Sequence, residues 1–155
     1  MYAYADLLRW PLFIGTELMR PGEVEAHFVH NPSTVVLTAC DEFDAVSVPR
    51  IAATDALVRL DRKGKAVPCL LHGDTGTFLT ARGTGPYAST LPNVQVKVGR
   101  DARIILPPTI GARWDTPPWH LTERAPLELP SARLLHSYLG EGLRFYGLGE
   151  TGARP

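Results

Sequence analysis

The sequence predicts an α+β fold in which helices pack on a largely antiparallel or mixed sheet. Three observations lead to this fold class. Short apolar runs rich in β-branched residues outnumber the helical segments. Turn-length connections join most of these runs, which favours antiparallel pairing. The chain also contains 14 Gly and 14 Pro in 155 residues. The combined Gly and Pro content exceeds the roughly 12% that is usual in proteins, and it predicts short elements with many turns.

The N-terminal half alternates between helical and strand patterns. Pro11 must end any helix formed by the opening residues, and the β-branched run TVVLTA is typical of a buried strand. A later apolar stripe at helical spacing indicates a helix that stops at Gly64. The predicted elements are a helix ending before Pro11, a strand over 12–14, one or two helical turns over 22–31, a strand over 34–39, an acidic turn over 40–43, a strand over 44–49 and a helix over 50–64.

The C-terminal half is richer in strands. The pair Gly73-Asp74 lies between two apolar runs, as in a hairpin. VQVKV alternates apolar and polar residues and is followed by the turn-like Gly99-Arg100-Asp101. The predicted elements are strands over 67–72 and 76–81, a loop over 81–90, strands over 94–98 and 102–106, an irregular proline-rich segment and a helix over 131–145.

Length and composition indicate one globular domain over residues 1–155, with 45% hydrophobic and 21% charged residues. No run approaches the roughly 18 apolar residues of a membrane span. Asp6 and Arg9 occupy the place where a signal peptide has its apolar centre. We therefore expect a cytoplasmic protein without a membrane partner. Cys40 and Cys69 are too few for a disulfide-stapled fold or a four-cysteine zinc site, and we expect both to be structural.

The charges are balanced overall but unevenly distributed. The chain has 16 basic and 16 acidic residues, which excludes strong polyanion attraction along its whole length. Residues 45–113, however, carry ten Lys or Arg and only four Asp or Glu. Within them Lys97, Arg100 and Arg103 lie around one predicted turn. They could bind the phosphates of a nucleotide or nucleic acid, or they could be solubilising charges on an exposed turn.

The only concentration of carboxylates is formed by Asp41, Glu42 and Asp44. Carboxylates at neighbouring strand ends can hold the two divalent cations of a nucleotidyl-transfer site. Asp41 and Asp44 are therefore the candidate catalytic residues. The alternative is a solvated acidic turn in which Asp41 accepts backbone hydrogen bonds.

Two segments resemble a known family. The opening AYADLLRWPLF and the later VQVKVGRDARIILPPTIGARWDTPPW follow the pattern of the bifunctional DNA primase/polymerase N-terminal (prim-pol) domain of the archaeo-eukaryotic primase superfamily. In the second segment the matched places are Lys97, Pro107-Pro108-Thr109, Gly111 and Trp114. The resemblance covers about residues 3–119 and leaves 120–155 as a C-terminal helical extension. It implies a primase-polymerase-like fold.

The departures from the family pattern concern its chemistry. Active members carry an Asp-x-Asp pair at the end of a strand, where this chain has Ser47 and Pro49, and a histidine where it has Thr77. The resemblance therefore implies a catalytically inactive relative without a resident cofactor. It would retain nucleotide or single-stranded DNA binding in replication or its regulation. Lys97, Arg100 and Arg103 would contact phosphates, and Trp114 would stack on a base.

Two alternatives remain open at this stage. In the first, the fold serves as a non-enzymatic protein–protein interaction module whose surface is the segment 107–120, with Trp119 as its contact residue. The two tryptophans of that segment could instead cap the core. In the second, the chain is an active primase or polymerase that uses Asp41 and Asp44 with Mg²⁺ or Mn²⁺.

Overall fold

A computed structural model describes residues 1–149. The chain is α+β, with three α-helices and a seven-stranded, antiparallel-paired sheet among these residues. The elements are one helical turn (Ala3–Leu7), β1 (Leu12–Ile14), β2 (Glu17–Met19), α1 (Pro21–His30), β3 (Val36–Pro49), α2 (Arg50–Arg62), β4 (Cys69–His72), β5 (Thr75–Ala81), a 3-10 turn (Gly85–Ala88), β6 (Gln95–Leu106), β7 (Ala112–Thr116) and α3 (Ala132–Phe145).

Strand β3 organises the sheet. It pairs with β6 along one edge, whereas its other edge pairs with β1 near the start and with β5 near the end. The remaining strands extend the sheet in the order β2-β1-β3-β5-β4-β7. Because alternate residues of a strand point to opposite faces, β3 contributes apolar side chains to both faces of the sheet.

Each face carries its own apolar core. Val46 and Phe78, which are paired in register, face helices α2 and α3. Their neighbours Ala45 and Leu79 face the other way, into a core built by the N-terminal turn, α1 and the tryptophan-containing segment after β6. Helices α2 and α3 therefore cover one face of the sheet, and α1 together with non-helical segments covers much of the other.

Two predicted turns are wrong. The structure has one 14-residue strand where strands over 34–39 and 44–49 were expected, and one 12-residue strand where 94–98 and 102–106 were expected. The turn-like residues form a shared irregularity, in which the register between β3 and β6 shifts on both sides of the Cys40–Gly99 pair, first between Ala39 and Cys40 and then between Cys40 and Ala45. Gly99 has a φ of +87°, a conformation that favours glycine. The two strands therefore bend together and continue.

The other elements largely agree with the sequence-based prediction. The hairpin of β4 and β5, helix α2 and helix α3 lie within a few residues of their predicted positions. The opening helix is shorter than expected, and α1 occupies nearly the expected range as one continuous helix. Strands β2 and β7 were missed, and β7 lies in the segment expected to be irregular. Within the described part of the chain, no helix combines the length and the apolar character that crossing a bilayer requires.

Candidate functional site

A pair of hydroxyl groups lies where the family resemblance puts the catalytic residues. Ser47 on β3 and Thr77 on β5 are partners in register, and their Oγ atoms are 2.9 Å apart. They share the sheet face of Ala45 and Leu79, at the end where β3 runs into α2. Thr77 is 7% exposed and Ser47 is half-buried. On the other side of Ser47, β6 places the exposed Gln95 in register.

This pair does not have the chemistry of a divalent-cation site. Each hydroxyl is neutral, and each already has the other as a hydrogen-bond partner. Mg²⁺ and Mn²⁺ prefer carboxylate oxygens, and the third matched position, Pro49, has no side-chain donor atom. Among residues 1–149, no group of three or more His, Cys, Asp or Glu side chains is arranged to hold a metal ion.

Asp44 is a buried structural group. It lies on the helix-covered face and is 2% exposed, and its Oδ2 accepts a hydrogen bond from the Gly85 amide at 2.8 Å. Thr80 donates to its backbone carbonyl oxygen. A Cβ atom on Gly85 would lie 2.7 Å from Val96 Cγ1 and 2.9 Å from Asp44 Oδ2, so only glycine fits here. Asp44 therefore ties the loop after β5 to the sheet.

Asp41 has a different environment. Its side chain is 33% exposed and lies 3.8 Å from the Arg100 guanidinium, which is 83% exposed. An ion pair so open to solvent contributes little to stability. The two carboxylates named as candidate catalytic residues thus have unrelated partners, one in a surface ion pair and the other under a loop.

The three candidate phosphate-binding residues lie on the single strand β6, not on two strands around a turn. Lys97 precedes the bend at Gly99 and donates one hydrogen bond to the carbonyl oxygen of Arg103 at 3.1 Å. Arg100 follows the bend and has the surface pair with Asp41. Lys97 keeps two further N–H donors, and most of the Arg100 side chain is in solvent. Both can therefore still reach an anion.

Arg103 is bound more firmly within the protein. Its guanidinium lies 3.9 Å from the centre of the Phe13 ring and donates to the carbonyl oxygen of Gly15 at 2.8 Å. Both contacts are with β1 and the turn that follows it. Arg103 therefore holds the β1–β2 hairpin against the sheet, with less of its guanidinium available to a ligand than in Arg100.

The tryptophans belong to an aromatic cluster in the core on the sheet face of Ala45 and Leu79. Its members are Tyr4, Trp10, Phe43, Trp114 and Trp119. Tyr4 links them, since its hydroxyl accepts a hydrogen bond from Trp114 Nε1 at 2.8 Å and donates to the Pro107 carbonyl oxygen at 3.0 Å. Burial raises the pKa of Tyr4 to about 12, although the Trp114 hydrogen bond opposes the rise. Trp119 packs edge-on against Tyr4 and Trp114. Both tryptophans thus cap the core.

Both cysteines are buried free thiols. Desolvation raises the pKa of Cys40 to about 11; Lys97 opposes this rise and Asp44 adds to it. Desolvation also raises the pKa of Cys69. A thiol that stays protonated is a poor nucleophile.

Sequence reasoning missed two of these features. The sequence pattern singles out neither Gln95, which is a polar residue of the alternating VQVKV, nor Tyr4. The single signal for Tyr4 was its position in the opening segment of the family pattern.

Comparison of the chain with protein-family models, with curated proteins and with solved structures finds no match.

Proposed function

We propose that this chain is a prim-pol-like domain that binds a nucleotide or single-stranded nucleic acid and has no nucleotidyl-transfer activity. One observation carries the proposal. The resemblance assigns the Asp-x-Asp strand and the histidine to positions thirty residues apart in sequence, and at those positions Ser47 and Thr77 are in hydrogen-bond contact. Two parts of one site must be adjacent, and Ser47 and Thr77 meet this requirement.

The same residues explain why binding is proposed without catalysis. Phosphoryl transfer depends on metal ions that neutralise charge on the transferred group, and those ions need carboxylate ligands. Ser47 and Thr77 provide hydroxyls, which can hydrogen-bond to a base, a sugar or a phosphate but cannot replace such ligands. The proposed role is therefore recognition in DNA replication or its regulation, as the resemblance implies, and in the cytoplasm, as the sequence composition indicates.

Cations close to the pair support a phosphate contact. Lys97 lies two positions along β6 from Gln95, on the sheet face that also carries Ser47. Arg100 lies just beyond the bend with its side chain largely in solvent. A single strand running along β6 would meet Lys97 and Arg100 with its phosphates and the hydroxyl pair with its bases or sugars.

Fluorescence anisotropy with a labelled single-stranded oligonucleotide tests this proposal. At low salt we expect saturable binding, and we expect Lys97→Ala to weaken it by about fivefold, the effect of one lost phosphate contact. Lys65→Ala is the matched control because Lys65 is an exposed lysine in the α2–β4 connection, and it should bind like the unmodified chain. Equal effects of the two variants would contradict the assigned surface.

An incorporation assay with Mg²⁺ or Mn²⁺ tests the second half of the proposal. We expect no template-dependent nucleotide addition. Addition that is abolished by Asp44→Asn in a variant that still folds would instead establish the active-enzyme alternative.

The interaction-module alternative has one observation in its favour. Ile110 and Leu121, at the two ends of the tryptophan-containing segment, are 67% and 84% exposed. Exposed apolar side chains of this kind can form the centre of a protein interface. Absence of salt-sensitive DNA affinity, together with a partner whose binding is lost in Leu121→Ser, would favour this function.

A further inference from the structure

An apolar groove lies on the outer side of helix α2. Its volume is about 670 Å³, and its walls include Ile51, Val58 and Tyr146. Ile51 and Val58 are two helical turns apart and therefore share one stripe, and they are 49% and 47% exposed. The opposite side of α2 is buried and packs in the core between the helices and the sheet. The groove side of α2 also carries Arg50, Thr54 and Asp55, so Ile51 and Val58 are exposed apolar side chains on a helix side that is ordinarily polar.

An exposed aromatic side chain lies beside the groove. Phe145 is the last residue of α3 and is 80% exposed. Its ring meets the Tyr146 ring edge-to-face at 4.9 Å, and Tyr146 in turn lines the groove. A cavity and a projecting apolar group therefore share one patch of surface.

We propose that a second copy of this chain occupies the groove. In this arrangement Phe145 of each copy inserts between Ile51 and Val58 of the other. Because the projection and the cavity are side by side on the same patch, a two-fold axis close to Tyr146 satisfies both at once. Such an isologous contact closes as a dimer. No unrelated partner is needed to cover the exposed apolar surface.

The groove is lined by Asp55 and Asp74 against one basic residue, Arg50, and this acidic excess complements Arg144 of a second copy. Arg144 precedes Phe145 and is exposed, and Asp74 lies at the rim of the groove and is exposed. When Phe145 enters the partner's groove, Arg144 comes to the rim that carries the partner copy's Asp74. The two-fold arrangement repeats this pair of opposite charges, which favours the proposed orientation over the reverse one.

The dimer contact lies on the other side of the sheet from the proposed nucleic-acid site. Helices α2 and α3 cover the sheet face of Val46 and Phe78, whereas Ser47 and Thr77 lie on the other face. The inference therefore does not depend on the proposed function, and each copy could bind its own ligand.

Sedimentation equilibrium on the full chain tests the proposal. Between about 1 µM and about 100 µM we expect a concentration-dependent approach to the dimer mass, as for an interface of moderate affinity. Phe145→Ser should raise the dissociation constant by about tenfold or more. Val29→Ser is the matched control, because Val29 is equally exposed at 80% but lies on α1, and it should leave dimerisation unchanged.

A charge exchange tests the orientation separately. Arg144→Asp should weaken the dimer, and the double variant Arg144→Asp with Asp74→Arg should restore it. A monomer at every concentration would overturn the proposal, and so would a dimer that Phe145→Ser leaves intact. A double variant weaker than the single one would overturn the proposed pairing.

Discussion

Removal of the Asp44 carboxylate should destabilise the fold, because Asp44 ties the loop after β5 to the sheet. The Gly85 amide donates to Asp44 Oδ2 at 2.8 Å, and the side chain is 2% exposed. A hydrogen bond to a charged acceptor contributes about 1.5–3 kcal/mol, and a neutral one about half of that. Asp44→Asn keeps an acceptor and should lose about 1 kcal/mol. Asp44→Ala leaves the buried amide unsatisfied and should lose about 2–3 kcal/mol.

Urea denaturation followed by tryptophan fluorescence measures both losses. We expect the denaturation midpoint to fall with an unchanged m value, because the native state keeps its compactness. In thermal unfolding, each kcal/mol should lower the midpoint by about 2–4 °C for a chain of this size. Asp41→Ala is the control, since its surface ion pair with Arg100 should contribute less than about 1 kcal/mol.

One result would refute this reasoning about Asp44. If Asp44→Ala were as stable as Asp41→Ala, the hydrogen bond to Gly85 would not hold the loop. Asp44 would then be free to act in another role, and its candidacy as a catalytic residue would have to be reconsidered.

Two further predictions concern the aromatic cluster. The pKa of Tyr4 is raised from 10.0 to about 12, so its stabilising contribution is complete below pH 10 and is lost as the pH rises toward 12, by about 2–3 kcal/mol. Urea titrations at several pH values should show this loss in the unmodified chain and a smaller one in Tyr4→Phe; equal losses would contradict the assignment. Trp119→Ala should cost about 2–4 kcal/mol of unfolding free energy, because its ring packs against Tyr4 and Trp114. Unchanged stability with loss of a partner would show that Trp119 is an interface residue.

Local patterns were sufficient for the elements that local forces determine. The apolar stripe of α2 and the Gly73-Asp74 turn between β4 and β5 are visible in the sequence because each depends on residues close to one another. The α+β class with a mostly antiparallel sheet followed from the same signals.

The bends in β3 and β6 could not be predicted in this way. Cys40-Asp41-Glu42-Phe43 and Gly99-Arg100-Asp101 both have the composition of turns, and each alone would reverse the chain. The structure places the two irregular stretches opposite one another, so that each strand continues beside its partner. Cross-strand pairing overrides local turn preference here, and neither segment alone determines this pairing.

The resemblance gave Ser47 and Thr77 only as the positions where the family's catalytic residues are missing, and it gave no geometry. Their contact depends on the register between β3 and β5. Trp114, which was expected to stack on a base, donates its Nε1–H to Tyr4 and packs against the core. Whether an aromatic residue faces solvent or the core depends on long-range packing that composition does not reveal.

The salt dependence of single-stranded DNA binding tests the central claim most directly. If Lys97 and Arg100 each neutralise one phosphate, the logarithm of the binding constant should fall with the logarithm of salt concentration with a slope of about −1.4. Affinity should then drop by about sevenfold between about 50 mM and about 200 mM salt, and Lys97→Ala should reduce the slope by about 0.7. Absence of saturable binding at the low-salt end, or a slope that Lys97→Ala leaves unchanged, would contradict the claim that the sheet face carrying Ser47 and Lys97 binds nucleic acid.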